Sequence, residues 1–368
     1  MNIKTARFNP NNGAEFYKIL KSRVDEYFAS KKISRNANAK MVIKTISMIL
    51  IYILPYLALM IGDFSGWLFF AMWLIMGIGM AGIGLSVMHD ANHEAYSKNK
   101  RVNTVLGYLV NFLGGHATNW KIQHNVLHHT YTNIDGLDED INPGKILRFS
   151  PNAPKLKVHK YQHYYAWFFY SLMTIVWTLT KDFNQLVRYN KQGLVKAQRT
   201  TLGKELAIVI VSKLIYYALF IALPIILLST PWWMVVVGMV IKHLTAGLIL
   251  SAIFQPAHVM ETSEYNQPEG DQNLVPHNWA VHQLFNTTNY APNNKILSWY
   301  AGGLNYQIEH HLFPSICHIH YSELSPIVEK TAKEFNLPYN VEPTFRSALI
   351  NHAKMLKELG RVDMPAMA

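Results

Sequence analysis

Residues 67–93 read WLFFAMWLIMGIGMAGIGLSVMHDANH. From Trp67 to Met88 the run has no charged side chain and no proline, and then two histidines follow, four residues apart. A bilayer core of ~30 Å takes about 20 mostly apolar helical residues, so this run reads as a membrane span that delivers a polar box to one membrane face. Three more stretches qualify: Val42–Ile61, Leu206–Leu228 and Trp232–Phe254. The 368-residue chain is 50% apolar and only 15% charged, against roughly 25% charged in soluble domains. The fold class is therefore an all-α membrane protein with four transmembrane helices in two hairpins.

Charge gives the topology. Net charge is +11, which could point to nucleic acid, but the first 41 residues alone carry nine Lys or Arg just before a span. The short connectors Gly62–Gly66 and Ser229–Pro231 carry none. That is the positive-inside pattern. It places both termini and the long loops in the cytosol, and it makes the lipid bilayer, not nucleic acid, the partner. The first apolar block starts too late for a signal peptide. The single cysteine, Cys317, excludes an internal disulfide and reads as a small buried hydrophobe.

The chain divides into a cytosolic N-terminal segment (1–41), a first hairpin (42–88), a cytosolic and interfacial region (89–205), a second hairpin (206–254) and a cytosolic C-terminal cap (255–368). Residues 161–180, YQHYYAWFFYSLMTIVWTLT, could pass as a fifth span. Interleaved Tyr, Trp and His suit the interface better, so the stretch is assigned to the membrane surface, as is the run 105–115. In the cap, one amphipathic helix is expected to begin near Ser325-Pro326. Another runs from about Thr344 to Leu359, stopped by Gly360.

Of the seventeen histidines, eight fall in four tight places at span ends. His89 and His93 share a helical face in HDANHEAY. His124 and His128 repeat the spacing in QHNVLHHTYTN, with His129 adjacent. His258 follows the last span. His310 and His311 lie in NYQIEHHLFP, where Gln307 is the i, i+3 partner of His310. Neutral imidazole is the commonest protein metal ligand, and two on one face chelate one ion. Eight are too many for one metal, so two metals fit better. Zinc needs only three or four ligands, whereas imidazole-rich sites also suit iron. A site capped onto membrane helices reaches apolar chains whose C–H bonds offer no acidic proton and no leaving group, which calls for metal-activated oxygen. His116, His159, His163, His277, His318, His320 and His352 lack clear chelating partners and read as surface or interfacial. His282 stands between the two classes. Lys242-His243 is an ionisable pair in mid-span, either functional or facing a protein-lined cavity.

HDANH, HNVLHH and QIEHH, with four spans and a histidine after the last, resemble the membrane fatty acyl desaturases, from about residue 40 to about 360. The resemblance implies a mushroom-shaped four-span fold with a cytosolic helical cap and a histidine-ligated centre of two iron ions (Fe2+). It also implies O2 as co-substrate and removal of two hydrogens from adjacent methylenes to leave a cis double bond. Carried over by position, the ligands are His89, His93, His124, His128, His129, His258, His310 and His311. Gln307 occupies a seat that is histidine in many relatives. Glutamine there is typical of the front-end (Δ5- and Δ6-type) branch, which inserts a bond on the carboxyl side of an existing one, and it would act as a neutral oxygen ligand, direct or through water. Asp90, Asn92, Asp138, Asp140, His282 and Asn305 are candidates to orient the imidazoles. The N-terminal 41 residues are too short for the fused cytochrome b5 domain often found in that branch. Electrons are therefore expected from a separate carrier, a cytochrome b5 or a ferredoxin. The fatty acyl substrate would be carried on CoA, an acyl carrier protein or a phospholipid. The rivals are a di-iron membrane hydroxylase and, from another class, a metal transporter, which would place its ligands near mid-bilayer.

Overall fold

The computed structural model describes residues 6–269 and 273–361. It is 67% helical, and the named strands among the described residues form two short parallel pairs, Arg7–Phe8 with Leu274–Val275 and Asn289–Tyr290 with Val341–Glu342. Four helices are long and apolar enough to cross a membrane: Ala39–Ile61, Gly66–Asn92, Leu202–Leu227 and Trp232–Ala257. They agree with the spans read from the sequence to within a few residues. The chain forms two compact units, one of Ala39–Ile122 with Trp167–Ala252, the other from the described parts of Asn2–Asn38, Gln123–Ala166 and Ile253–Ala368.

In the first unit the spans pack through small residues, as helices in lipid must when apolar burial gives them no mutual drive. A β-carbon at Gly77 would stand 2.6 Å from the Lys242 carbonyl oxygen, and one at Gly79 equally close to the Tyr52 backbone nitrogen. Lys242 is fully buried. Its ammonium has no hydrogen-bond partner among the described residues. Instead it sits 4.0 Å from the Phe220 ring centroid, 4.8 Å from Tyr216, 5.5 Å from Trp73 and 5.9 Å from Tyr52. Every span contributes to this box, and the ring faces take the place of hydrogen bonds. His243 is satisfied separately, with Nε2 2.7 Å from Tyr216 Oη and Nδ1 3.1 Å from Thr174 Oγ1. Residues 161–180 are not one long helix. They break into Gln162–Ser171, Met173–Val176 and a π turn at Trp177–Lys181. Within the first unit the stretch lies along the fourth span, where the Thr174 hydroxyl donates to the His243 carbonyl (2.9 Å) and Ser171 leaves no room for a side chain at Gly247.

The second unit is built round a helix over Ala14–Lys31, inside the segment that the sequence marks only by its charge. Phe16, Leu20, Val24 and Phe28 recur at every fourth position and are buried against Val281, Leu284, Ile308, Leu312, Leu324 and Val328. The C-terminal helix Phe345–Leu359 is where the sequence puts it, with Thr344 and Ser347 forming a capping box. The helix before it starts earlier than expected, at Tyr321, and carries Pro326 inside. Burial of Tyr321, Leu324 and Val328 outweighs the one backbone bond the proline removes.

Most of the histidines set aside as surface or interfacial are buried. His116, His159, His318, His320 and His352 are each less than a tenth exposed. His116 Nε2 lies 3.0 Å from Glu205, His159 Nε2 3.0 Å from the Lys145 carbonyl, and the His352 Nδ1–H donates to the Val259 carbonyl (2.9 Å). Sequence spacing detects chelation between neighbours, but not hydrogen bonds to backbone far along the chain.

Candidate metal centre

The second unit gathers six of the eight boxed histidines. The second box is wound as a π helix over Lys121–His128, continuing into a helical turn at His129–Tyr131. In π winding residues five apart meet, so His129 joins His124 on one side although α winding would turn it away. Their rings are 4.7 Å apart and their Nε2 atoms 3.2 Å apart. The His128 ring stacks on His124 at 5.3 Å. The third box is a six-residue helix, Gln307–Leu312, too short to stand alone. Its first turn is held by Asn289, which accepts from the Ile308 N–H (2.9 Å) and donates to Glu309 (2.8 Å). Tyr339 donates to the other Glu309 oxygen at 2.7 Å. Burial pushes the Glu309 carboxyl up to about 7, against the pull of those two donors. Glu309 is thus an anchor for the helix.

Pinned this way, His310 and His311 meet the second box. His310 Nε2 is 3.0 Å from His129 Nε2, and the His311 ring lies 4.3 Å from His129 and 4.9 Å from His128. His258 enters just beyond the fourth span, 4.6 Å from the His128 ring and 4.8 Å from His311. Three groups in this unit have ligand atoms close enough to share an ion: His128, His258 and His311; His129, His310 and His311; and His124, His128 and Asp140.

The outer nitrogens face acceptors. The His128 Nδ1–H donates to Asp138 (3.0 Å), that of His258 to the Asn286 carbonyl (3.1 Å), and that of His311 to the Gln283 amide oxygen (2.8 Å). His310 Nδ1 lies 3.3 Å from the Tyr321 hydroxyl, and His124 Nδ1 3.8 Å from Asp140. The hydrogen bonds at His128, His258 and His311 each fix a tautomer with its lone pair on Nε2. Burial holds His258 down to about 3, with His128 adding to the effect. For His128 itself burial lowers the pKa, but Asp138 and Asp140 together raise it.

These residues fit a metal. His128 Nε2 and His258 Nε2 are buried with no hydrogen-bond partner among the described residues. Two nitrogens each ~2.1 Å from one ion at a right angle stand roughly 3.0 Å apart, the spacing found at His129. Gln307 is fully buried, and neither amide atom has a hydrogen-bond partner among the described residues. A bare buried amide costs about 1–3 kcal/mol, which points to a non-protein partner.

The remaining candidates fall out as follows. In the first unit, the buried His89 and His93 rings are 4.7 Å apart and both lie edge-on to Trp120 at 5.5–5.6 Å. A π turn, Ile83–Met88, precedes them. Asp90 lies 3.8 Å from His89 Nδ1. Asn92 reaches the Gly107 carbonyl (3.3 Å). Asp138 holds His128, and its carboxylate also accepts from the Asn133 and Asp140 N–H groups (2.9 and 2.8 Å). Asp140 takes a hydrogen bond from Gln123 at 2.5 Å. His282 contacts the Thr132 carbonyl (2.7 Å) and Asn286, bracing the loop after the second box. Asn305 bonds Ser298 and the Tyr290 carbonyl. Sequence reasoning missed Gln283, Asn286 and Tyr321. Gln283 and Asn286 lie on one turn with His282, the nearest thing to a signal.

The family described as "Fatty acid desaturase" has a model that matches residues 65–343. An "sn-1 linoleoyl-lipid 6-desaturase" of Synechocystis sp. is 34% identical, covering 95% of this chain and 96% of that protein. An "Acyl-lipid (8-3)-desaturase" of Physcomitrium patens is 34% identical over 98% of this chain and 74% of its own. A "Probable Delta(5) fatty acid desaturase C" of Dictyostelium discoideum is 30% identical over 94% and 76%.

Proposed function

The chain belongs to the fatty acid desaturase family, and from that premise we propose an O2-dependent, lipid-linked acyl desaturase of the front-end type with a histidine-ligated di-iron centre. The observation that carries it is the buried histidine cluster of the second unit, whose Nδ1 contacts leave Nε2 lone pairs converging on common points. The proposed ligands are His89, His93, His124, His128, His129, His258, Gln307, His310 and His311. Iron bound there would supply oxygen activation for a C–H bond that acid–base chemistry cannot break. The overall change is balanced as –CH2–CH2– + O2 + 2e− + 2H+ giving –CH=CH– + 2H2O, so an external one-electron carrier, a cytochrome b5 or a ferredoxin, acts twice per turnover.

The protein's own share is positional. Asp138, Asn286 and Gln283 hold His128, His258 and His311 in one orientation each. The hydrogen-bonded Glu309–Tyr339–Asn289 group fixes the short helix that bears Gln307, His310 and His311. The burial of all these side chains excludes bulk water. The positive-inside bias supports a cytosolic site with both termini on that side. The names of the relatives support an acyl-lipid substrate and a bond toward the carboxyl end.

The test is lipid analysis after expression in a desaturase-deficient host fed deuterated linoleoyl lipid under labelled O2. A new cis bond, with the oxygen label only in water, is expected. Oxygen label found in the lipid would mean hydroxylation, and purified protein without iron would refute the metal reading.

A further inference from the structure

The second unit carries a surface that the chemistry does not use. Residues 145–165 read KILRFSPNAPKLKVHKYQHYY and contain no acidic residue. Lys145, Lys155, Lys157 and Lys160 are exposed. Interleaved with them, Ile146, Leu156, Val158, Tyr161 and Tyr164 are exposed by 43% to 73%. His159 alone turns inward in the Lys157–Tyr161 turn, so neighbouring charges and apolar groups share one outward face. Lys160 lies over the Tyr161 ring at 5.7 Å.

The C-terminal helix continues the surface. Arg346, Ile350, Lys354, Lys357 and Arg361 succeed one another at steps of three and four, the spacing of one helical face, and all are exposed. The two segments are locked together. Arg148 donates to the Leu359 carbonyl (2.5 Å), the Gln162 amide to that of Leu356 (2.7 Å), and Lys155 to that of Arg361 (3.3 Å). Gly360 packs on the His159 backbone with no room for a β-carbon. Burial and the nearby Lys357 and Arg361 lower the pKa of His163, on the first segment. Glu358 is the one acid among residues 346–361.

We propose that this surface docks anionic lipid headgroups. Eight exposed cations supply the charge attraction. The exposed tyrosines and aliphatic side chains between them suit the boundary between headgroups and acyl chains. The assignment does not depend on the reading of the histidine centre.

The test uses the full chain in nanodiscs of phosphatidylcholine with and without phosphatidylglycerol. Headgroup-photoactivatable probes of both lipids are crosslinked and mapped by peptide. The phosphatidylglycerol probe should label 145–165 and 346–361 severalfold over the phosphatidylcholine probe, and added salt should erase the preference. K155Q/K157Q/K160Q, and separately K354Q/K357Q/R361Q, should cut that labelling by about tenfold or more at low salt while the thermal midpoint holds. Equal labelling by both probes in the unmutated protein would overturn the proposal without recourse to any variant. So would variants that lose only the binding of an added acidic protein, such as a ferredoxin.

Discussion

Gln307 shows what one side chain can report. A structural glutamine in a dry core keeps its amide hydrogen-bonded, and removing it costs stability. Here neither amide atom has a partner among the described residues, so Gln307→Ala removes an uncompensated polar group. We expect its thermal midpoint to stay within a few degrees of the parent while iron retention and desaturation fall by ten- to a hundredfold. A variant that kept full iron and activity would return the glutamine to bystander status. Asp138 argues the opposite case, since its carboxylate joins His128 to two backbone N–H groups. Asp138→Asn keeps the shape but replaces a charged acceptor by a neutral one. Iron content and rate should drop together, again by about ten- to a hundredfold, with folding judged by unfolding midpoint. An unchanged iron stoichiometry would count against the role given to Asp138.

At the scale of elements, what was legible in the sequence was local. A span shows itself by the length of an apolar run, and a box by the spacing of its histidines. Both were read within a few residues. The π winding at Lys121–His128 was not, because it depends on what the turn packs against. The Phe16–Leu20–Val24–Phe28 stripe is present in the sequence, but it lies in a segment whose nine basic residues before the first span dominate its composition. Mid-span Lys242, which the sequence reads as functional or facing a protein-lined cavity, lies buried among four rings drawn from the spans. Lys242→Ala should open a cavity and destabilise by about 2–5 kcal/mol. Lys242→Met should be far milder, since it loses a cation–π contact of about 2 kcal/mol but also a desolvated charge. Detergent unfolding curves decide, and a Met variant as damaged as Ala would show that the charge itself is required. The C-terminal helix yields a pH prediction. Burial holds His352 down to about 4, partly offset by its bond to Val259. The unfolded chain therefore binds a proton near pH 6.5 that the folded chain refuses until about pH 4. Stability should be full above pH 6.5 and fall as pH drops toward 4, by up to about 3 kcal/mol. His352→Gln should flatten that part of the curve, and an unaltered slope would discount the residue.

For the molecule as a whole, the question is what pulls six histidines from three distant stretches of chain into one dry cluster. Apolar burial drives the second unit's core, but it does not favour clustering imidazoles. Nδ1 hydrogen bonds already engage one edge of four rings, those of His128, His258, His310 and His311, and at His129 three Nε2 atoms meet at 3.0–3.2 Å. Packing alone leaves these lone pairs facing one another, so the arrangement is at its most stable with cations between them. Binding to the folded state alone stabilises by mass action, about 4 kcal/mol when free metal exceeds Kd a thousandfold. Such a gain raises the melting point of a unit of roughly 200 residues by about 10 °C. Stripping the purified protein with a chelator should lower the midpoint by that order. Fe2+ should restore it under strict anaerobiosis, with no substrate or electron donor present. A redox-inert divalent ion of similar size should restore the midpoint without restoring desaturation. That result would separate the ion's part in holding the cluster together from its part in the chemistry. A midpoint indifferent to both chelator and metal would mean that the histidines are held by packing after all.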